Sequence, residues 1–180
     1  TTPTVLEELR LFEPLAPQHQ QHNLAAITAV SEVMPELPQV ACFDTAFHAH
    51  QAPVHRLLPL PQRLRDLGLM RYGFHGLSYE YLLGEIPKHH EGTLPENLIV
   101  AHLCNGASVC AIKNGQSLAT TMVFSTLDGL IMGSRCGSID PGALLHLLTT
   151  EKMDVEALTD CLYEQSGLLG LSGISADMRE

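Results

Sequence analysis

Asp44 lies in the first of four segments of this 180-residue sequence whose residue types and spacing could support chemistry. It follows the stretch Gln39–Phe43, which we predict to be a short buried strand. An acidic side chain at the end of a strand in an open α/β sheet can project into a ligand cleft. Aspartate is also common as a turn or helix-cap residue, and residue type alone favours that simpler interpretation.

His75 stands between glycines in the segment RYGFHG, residues 71–76. Gly73 and Gly76 permit a close backbone approach and would leave the imidazole accessible. An imidazole can donate a hydrogen bond to a phosphoryl oxygen or to a developing oxyanion. A lone histidine is also common as a structural group, and the residues alone leave both interpretations open.

Two further segments could hold phosphate. Residues 102–108, HLCNGAS, predict a strand, a tight turn and a second strand of small residues, whose backbone N–H groups could form an anion nest. An ordinary Asn-Gly hairpin is the simpler interpretation of that pattern. Arg135 lies among Gly133, Gly137 and Gly142. Its planar guanidinium matches phosphate oxygens, and the density of glycines favours a ligand clamp over a surface arginine.

The elements that must position these side chains are predicted from turns and periodicity. Two Asn-Gly pairs, Asn105-Gly106 and Asn114-Gly115, predict a three-stranded antiparallel meander. Strands followed by helices indicate an α/β or α+β domain. The predicted strands are 98–103, 108–113 and 116–122, and the predicted helices are 23–32 with Asn23 as N-cap, 77–86 ended by Pro87, one beginning at Pro141, and 154–164.

Composition excludes several classes of protein. Hydrophobic residues make up 45% of the chain, enough to bury a core, and the net charge of −10 argues against nucleic acid or an anionic membrane as partner. No apolar stretch is long enough to span a bilayer. Five cysteines without a Cys-x-x-Cys pair fit a reducing cytoplasm. The ten histidines match no zinc spacing, so no metal site is assigned, and the sequence contains no Walker-type phosphate loop.

Taken in order, the segments FDTAFH, RYGFHG, HLCNGASVCAIKNG, GLIMGSRCGSIDPG and SGLLGLSGISADMRE resemble the acetate kinase (acetokinase) family, which includes propionate kinases. The resemblance runs from Leu15 to the last residue. It implies the actin-like, sugar kinase and Hsp70 (ribonuclease H-like) fold, in which two lobes close on ATP. Residues 1–42 would then be the tail of the first lobe, and residues 43–180 the first half of the nucleotide-binding lobe.

The resemblance also implies roles for residues. The expected reaction is reversible phosphoryl transfer between ATP and a short-chain carboxylate, acetate or propionate, giving acyl phosphate and ADP with Mg²⁺ as cofactor. Asp44 would position the carboxylate, while His75 and Arg135 would stabilise charge on the phosphoryl group. The family is commonly homodimeric. The nucleotide phosphates would contact His102, Leu103, Cys104, Asn105 and Gly106, and the adenosine site would include Asp177, Met178 and Arg179.

The chain departs from the family pattern at several positions. Cys104 replaces a glycine, and would narrow the loop if that position needs a positive φ or close approach to phosphate. Because the resemblance implies a longer enzyme, we expect an incomplete fragment that is inactive alone. The alternative is a non-catalytic nucleotide-binding or self-associating remnant. The family motif GTSH reads GLSY at residues 76–79, so Tyr79 replaces its histidine. Ala119 and Ser138 stand where the family has aspartate, and residues 123–129 replace the family segment GFTPLEG.

Overall fold

A computed structural model of the protein describes residues 1–15 and 19–180. The chain divides into two compact units, Thr1–Phe43 and Asp44–Glu180. The first unit contains helix α1 (Pro3–Arg10), a 3₁₀ turn (Glu13–Leu15) and helix α2 (Gln20–Val33), and α1 contacts α2. Helix α1 begins with Thr2 as N-cap and a proline in its first turn, a combination that satisfies the start of a helix.

Two predictions for the first unit are wrong. Helix α2 begins three residues before Asn23, with His19 at the N-cap, so Asn23 lies inside the first turn. The predicted strand Gln39–Phe43 has no regular secondary structure. The Gln39 carbonyl accepts a hydrogen bond from the N-terminal amino group of Thr1 at 2.7 Å, and Val40 is 85% exposed. The short apolar run therefore has neither the ladder partner nor the burial that a strand requires.

The second unit is mixed α/β and contains a three-stranded antiparallel sheet in the order β1-β2-β3. The predicted meander is therefore confirmed. The elements before the sheet are a 3₁₀ turn (Ala46–His48), α3 (Pro53–Arg56), α4 (Gln62–Arg65) and α5 (Gly76–His89). The strands are β1 (Asn97–Leu103), β2 (Ala107–Lys113) and β3 (Gln116–Thr120), followed by α6 (Pro141–Thr149), α7 (Val155–Glu164) and α8 (Gly167–Ser172).

The two predicted Asn-Gly turns differ in the structure. Asn114 and Gly115 have φ of 50° and 74° and join β2 to β3 as the tight turn predicted from the sequence. Strands β1 and β2 are instead joined by three residues, and the N–H of Cys104 donates to the carbonyl of Gly106 at 3.0 Å. Neither Asn105 nor Gly106 has a positive φ, so the prediction of a tight two-residue turn there is wrong.

Helix α5 packs against one face of the sheet. It continues to His89, so the prediction that Pro87 ends it is wrong. Pro87 lies in the last turn, where its missing N–H removes a single hydrogen bond. The N–H of Gly92 donates to the Pro87 carbonyl at 3.0 Å and closes the end of the helix. The buried cluster between helix and sheet consists of Tyr79, Cys110 and Ile112, with Phe47, Leu83, Leu98 and Val100 packed around it.

The other face of β1 is uncovered. Ile99 is 81% exposed and Leu103 is 73% exposed, whereas Leu98 and Val100, on either side of Ile99, are half-buried. The alternation follows the two-residue period of a strand. A second cluster, Ala107, Met122 and Met132 with Phe74 and Leu130, lies where the loops after β3 meet the start of β2. Among the described residues, no helix is long and apolar enough to cross a membrane.

Candidate active site

The start of α5 fixes the position of His75. Its backbone is left-handed, with φ of 62° and ψ of 20°, and it occupies the N-cap position of the helix. The backbone N–H of His75 donates to Oδ2 of Asp44 at 2.6 Å, and that of Leu77 donates to Oδ1 at 3.3 Å. A carboxylate at a helix N-terminus satisfies free N–H groups and complements the helix dipole. The carboxylate of Asp44 therefore anchors the backbone that presents His75.

Gly76 makes this anchoring possible because it allows two backbone segments to touch. Its N–H donates to the carbonyl of Asp44 at 2.9 Å. A Cβ atom at position 76 would overlap that carbonyl oxygen and lie 2.8 Å from Cβ of Phe47. The glycine after the histidine is therefore required by packing against the Asp44 segment.

The His75 imidazole contacts the hydroxyl of Ser108 and the ring of His102. Nδ1 lies 2.7 Å from Oγ of Ser108, which also forms a hydrogen bond with the hydroxyl of Tyr79. Ser108 and Tyr79 are fully buried. The ring of His75 stacks on His102, with centroids 4.0 Å apart and an interplanar angle of 19°. Nδ1 of His102 lies 3.0 Å from Oγ of Ser78.

Arg135 reaches the same place from the glycine-rich loop. Its side chain is almost fully buried, and Nη1 donates to the carbonyl of Thr126 at 2.6 Å. A Cβ atom on Gly106 would overlap Nη2 of Arg135 and lie 3.3 Å from Nε2 of His75. Burial lowers the pKa of the Arg135 guanidinium, whose ordinary value is so high that the group stays charged at neutral pH. His75 and Arg135 therefore converge beside the backbone of Gly106.

The glycine-rich loop also holds the connection between β1 and β2. The N–H of Gly133 donates to the carbonyl of Asn105 at 3.0 Å, and a Cβ atom on Gly133 would overlap Oδ1 of Asn105. The same Cβ position lies 3.2 Å from the carbonyl of Ala176, which brings the segment before Asp177 to this loop. Two loops separated in sequence thus pack together around the site.

Several of the predicted nucleotide residues lie apart from this convergence. Leu103 points to the uncovered face of β1, and Cys104 is exposed. Asp177 and Arg179 form an exposed ion pair with 2.5 Å between Nη2 and Oδ2, and Met178 is 83% exposed. Hydrogen bonds from Arg179 lower the pKa of the Asp177 carboxyl. The structure brings together His75, His102, Asn105, Gly106 and Arg135, with Asp44 behind His75.

Sequence reasoning missed the structural role of His48. This side chain is buried; Nε2 lies 2.9 Å from the carbonyl of Phe74 and Nδ1 lies 2.7 Å from Oγ of Ser117. A carbonyl can only accept, so Nε2 carries the proton and the neutral ring joins the 3₁₀ turn to β3 and to the residue before His75. Burial lowers the pKa of His48. The only sequence signal was its place at the end of the FDTAFH segment.

Comparison with known proteins decides the family. The sequence profile of the acetokinase family matches residues 1–180, the whole chain. The chain belongs to the acetokinase family. The resemblance inferred from the five motifs is confirmed, and the match begins at residue 1 rather than at Leu15.

Curated acetokinase relatives are longer than this chain. The acetate kinase of Rhodopseudomonas palustris (strain ATCC BAA-98 / CGA009) is 52% identical over 179 residues, which cover 99% of this chain and 45% of that protein. The acetate kinase of Methylocella silvestris is 50% identical over 183 residues, covering 99% of this chain and 44% of the relative. The chain thus spans slightly less than half the length of these relatives.

Solved acetokinase structures share the fold of this chain. A propionate kinase from Francisella tularensis superposes with a TM-score of 0.92 at 37% identity, covering 99% of this chain and 46% of that one. The acetate kinase from Entamoeba histolytica gives a TM-score of 0.89 at 37% identity, with the same shares covered. These enzymes have the actin-like fold, so the predicted fold class is confirmed for the part of that fold that this chain forms.

Three of the departures from the acetokinase pattern, Cys104, Ser138 and Tyr79, have identifiable surroundings in the structure. Cys104 is exposed and its φ is not positive, so the backbone conformation at this position does not require glycine. Ser138 donates through Oγ to Oδ1 of Asp128 at 2.6 Å, and this oxygen also accepts the N–H of Gly129 at 2.7 Å. Tyr79, which stands where the motif has histidine, fills the core and reaches Ser108.

Proposed function

We propose that the protein to which this chain belongs transfers a phosphoryl group reversibly between ATP and a short-chain carboxylate, acetate or propionate. The observation that carries the proposal is the convergence of His75 Nε2 and Arg135 Nη2 beside the Gly106 backbone. Phosphoryl transfer depends mainly on positioning and on neutralising the charge of the transferring group. A buried guanidinium beside an imidazole nitrogen provides both.

In the direction of ATP formation, the bond between the carboxylate oxygen and phosphorus of the acyl phosphate breaks. A new bond forms to a terminal phosphate oxygen of ADP, and the carboxylate leaves. Arg135 donates through its guanidinium to the phosphoryl oxygens, and His75 donates through Nε2. Asp44 acts through the backbone of His75, because both of its carboxylate oxygens accept N–H groups at the start of α5. We assign Asp44 to positioning.

The nucleotide is proposed to lie against residues 102–106 and the glycine-rich loop. His102 stacks on His75, and Asn105 bonds to Gly133, so a phosphate held by the backbone of this connection would adjoin Arg135. Leu103 and Cys104, whose side chains are exposed, would contribute through the backbone of this connection. We propose that Asp177, Met178 and Arg179 contribute to the adenosine side, through the segment that reaches Gly133 at Ala176.

Mg²⁺ is the metal that the acetokinase family implies. No three His, Cys, Asp or Glu side chains of residues 1–15 and 19–180 are grouped to hold a metal ion. The proposed roles of His75 and Arg135 do not pass through the ion. When bound with nucleotide, Mg²⁺ neutralises phosphate charge.

The lobe assignment and the assembly state are proposals as well. We propose that residues 1–42 end the first lobe and residues 43–180 begin the second, in a cytoplasmic homodimer.

A self-associating protein without catalysis is the second candidate function. The uncovered apolar face of β1, with Ile99 and Leu103, is the observation that favours it.

The deciding experiment measures ATP by a luciferase-coupled assay from acetyl phosphate, ADP and Mg²⁺. The 180-residue chain is compared with Arg135→Ala and with Arg63→Ala, which removes an exposed arginine of α4. Propionyl phosphate is tested in parallel. ATP formation that Arg135→Ala abolishes and Arg63→Ala preserves establishes the kinase site within this chain.

If the chain forms no ATP, calorimetric titration with ADP distinguishes the remaining possibilities. ADP binding that is weakened by Arg135→Ala and unaffected by Arg63→Ala supports a nucleotide site that needs the rest of the enzyme for turnover. An absence of both ATP formation and ADP binding contradicts a nucleotide site within this chain and leaves self-association as its function.

A further inference from the structure

The hydroxyl groups of Tyr79 and Ser108 form a chain of hydrogen bonds that ends on His75. The Tyr79 hydroxyl bonds to Oγ of Ser108, and Oγ lies 2.7 Å from Nδ1 of His75. Tyr79 and Ser108 are both 0% exposed. Solvent cannot supply alternative partners to either hydroxyl, so the directions of these bonds are set by the protein.

Counting hydrogens assigns those directions. Each hydroxyl has one hydrogen to donate, and a buried hydrogen without an acceptor is costly. If Tyr79 donates to Ser108, the hydroxyl of Ser108 can donate to Nδ1 of His75, and every hydrogen has an acceptor. If Nδ1 donated to Ser108 instead, Ser108 would donate to Tyr79. The Tyr79 hydrogen would then lack an acceptor, because Oγ of Ser108 is its sole hydrogen-bond partner among the described residues.

We propose that Tyr79 and Ser108 are positioning residues that hold neutral His75 in the tautomer with its proton on Nε2. Nε2 is the nitrogen beside Gly106 and Arg135. The hydrogen bonds from Tyr79 through Ser108 to His75, the relay, therefore leave Nε2 of His75 as a hydrogen-bond donor beside Arg135 Nη2, which is a second donor. Placing a phosphoryl oxygen there rests on the proposed kinase function, but the tautomer itself does not.

The relay includes a residue at which this chain departs from the family motif. Tyr79 stands at the histidine of the GTSH motif, and a tyrosine hydroxyl is a donor whose hydrogen cannot move between two ring nitrogens. Burial raises the pKa of the Tyr79 hydroxyl and keeps that hydrogen in place. A histidine at position 79 could either donate to Ser108 or accept from it, depending on its tautomer. Tyr79 has one fixed hydroxyl hydrogen and no such alternative.

The test is ¹⁵N NMR of the histidine rings in the 180-residue chain, at about pH 8, where an ordinary imidazole is neutral. The His75→Gln spectrum identifies the His75 signals by their loss. We expect Nδ1 at the position of an unprotonated ring nitrogen and Nε2 at that of a protonated one. A proton on Nδ1 in the wild-type chain would overturn the proposal whatever the variants show.

Two variants test the relay, and one serves as control. Tyr79→Phe and Ser108→Ala remove the donors, and the His75 Nδ1 signal should shift toward the protonated position as the second tautomer becomes populated. Tyr81→Phe removes an exposed hydroxyl from the same helix and should leave it unchanged. Unchanged His75 signals in both folded relay variants would contradict the proposal. No nucleotide or carboxylate is present, so failure of the kinase proposal cannot produce these results.

Discussion

The carboxylate of Asp44 accepts a hydrogen bond from the backbone N–H of His75, with 2.6 Å between nitrogen and Oδ2. The second oxygen accepts the N–H of Leu77. The acidic residue of one motif thus builds the backbone that presents the histidine of the next. This relationship makes the placement of His75 depend on a side chain distant in sequence.

Replacing Asp44 by alanine should destabilise the start of α5. Loss of a helix-capping acceptor costs about 1–2 kcal/mol of unfolding free energy, and Asn, which retains one carbonyl oxygen, should cost less. Urea unfolding of Asp44→Ala and Asp44→Asn measures the difference. Equal stability of all three chains would contradict the capping role. A stable Asp44→Asn chain without kinase activity would instead assign Asp44 a direct role with substrate.

Gly76→Ala should destabilise the chain, because the added Cβ would overlap the carbonyl of Asp44 and press on Phe47. Overpacking of this kind costs roughly 1–3 kcal/mol. Gly84→Ala is the matched control on the same helix, where a Cβ meets nothing within 4 Å. It should raise stability by about 0.5–1 kcal/mol, since alanine favours helix. Thermal unfolding with equal shifts for both variants would rule out the steric account.

Gly106→Ala should leave the fold intact and damage the site. Its Cβ would displace Nη2 of Arg135, the end of a side chain that can move, rather than backbone. A misplaced guanidinium could reduce ATP formation on the order of 100-fold wherever wild-type turnover is measurable. Unfolding midpoint and ATP formation are measured together. Full activity with an unchanged midpoint would show that Arg135 does not act beside residue 106.

Burial of His48 should make the unfolding free energy of the chain decrease as the pH falls below the ordinary pKa of histidine. Its pKa is lowered in the folded chain, so below the ordinary value of about 6.5 the unfolded chain binds the extra proton first. Unfolding free energy should then decrease with falling pH, by up to about 1.4 kcal/mol per pH unit from this group, until folded His48 also titrates. Above the ordinary pKa of about 6.5, the contribution of His48 to the unfolding free energy does not change with pH.

Urea unfolding is measured across this pH range for the wild-type chain, His48→Gln and His90→Gln. The comparison gives the share of the pH dependence that His48 contributes. His90 is exposed, so its replacement should preserve the wild-type slope, whereas His48→Gln should flatten it. A slope that survives in His48→Gln would assign the acid sensitivity to another group.

Lysine at Ile99 or Leu103 should weaken any concentration-dependent association of the chain. Both side chains lie on the uncovered face of β1, and a charge on an edge strand opposes pairing with another chain. Val155→Lys, at an exposed position of α7, is the control. Sedimentation velocity over a range of chain concentrations measures the association. Association that persists in both β1 variants would place the contact on another surface.

Local signals in the sequence were sufficient for much of the fold. Asn114-Gly115 adopts the positive φ values that its turn requires, and Asp154 caps α7 through the N–H of Ala157. Each of these features depends on neighbours in the chain. Two failures have a cause elsewhere in the chain: residues 39–43 found no strand to pair with, and the Asn105 carbonyl accepts the N–H of Gly133 instead of closing a tight two-residue turn.

The sequence by itself determined which residues are the principal candidates for the site. The ordered motifs singled out Asp44, His75 and Arg135, and glycine spacing marked the loops around them. Tertiary structure alone decided how these groups meet: Arg135 against Gly106, and His75 held through Ser108 by Tyr79. The physical reason is that a motif records the residue types a site needs. Distances, burial and hydrogen-bond direction arise only when segments far apart in sequence pack into one core.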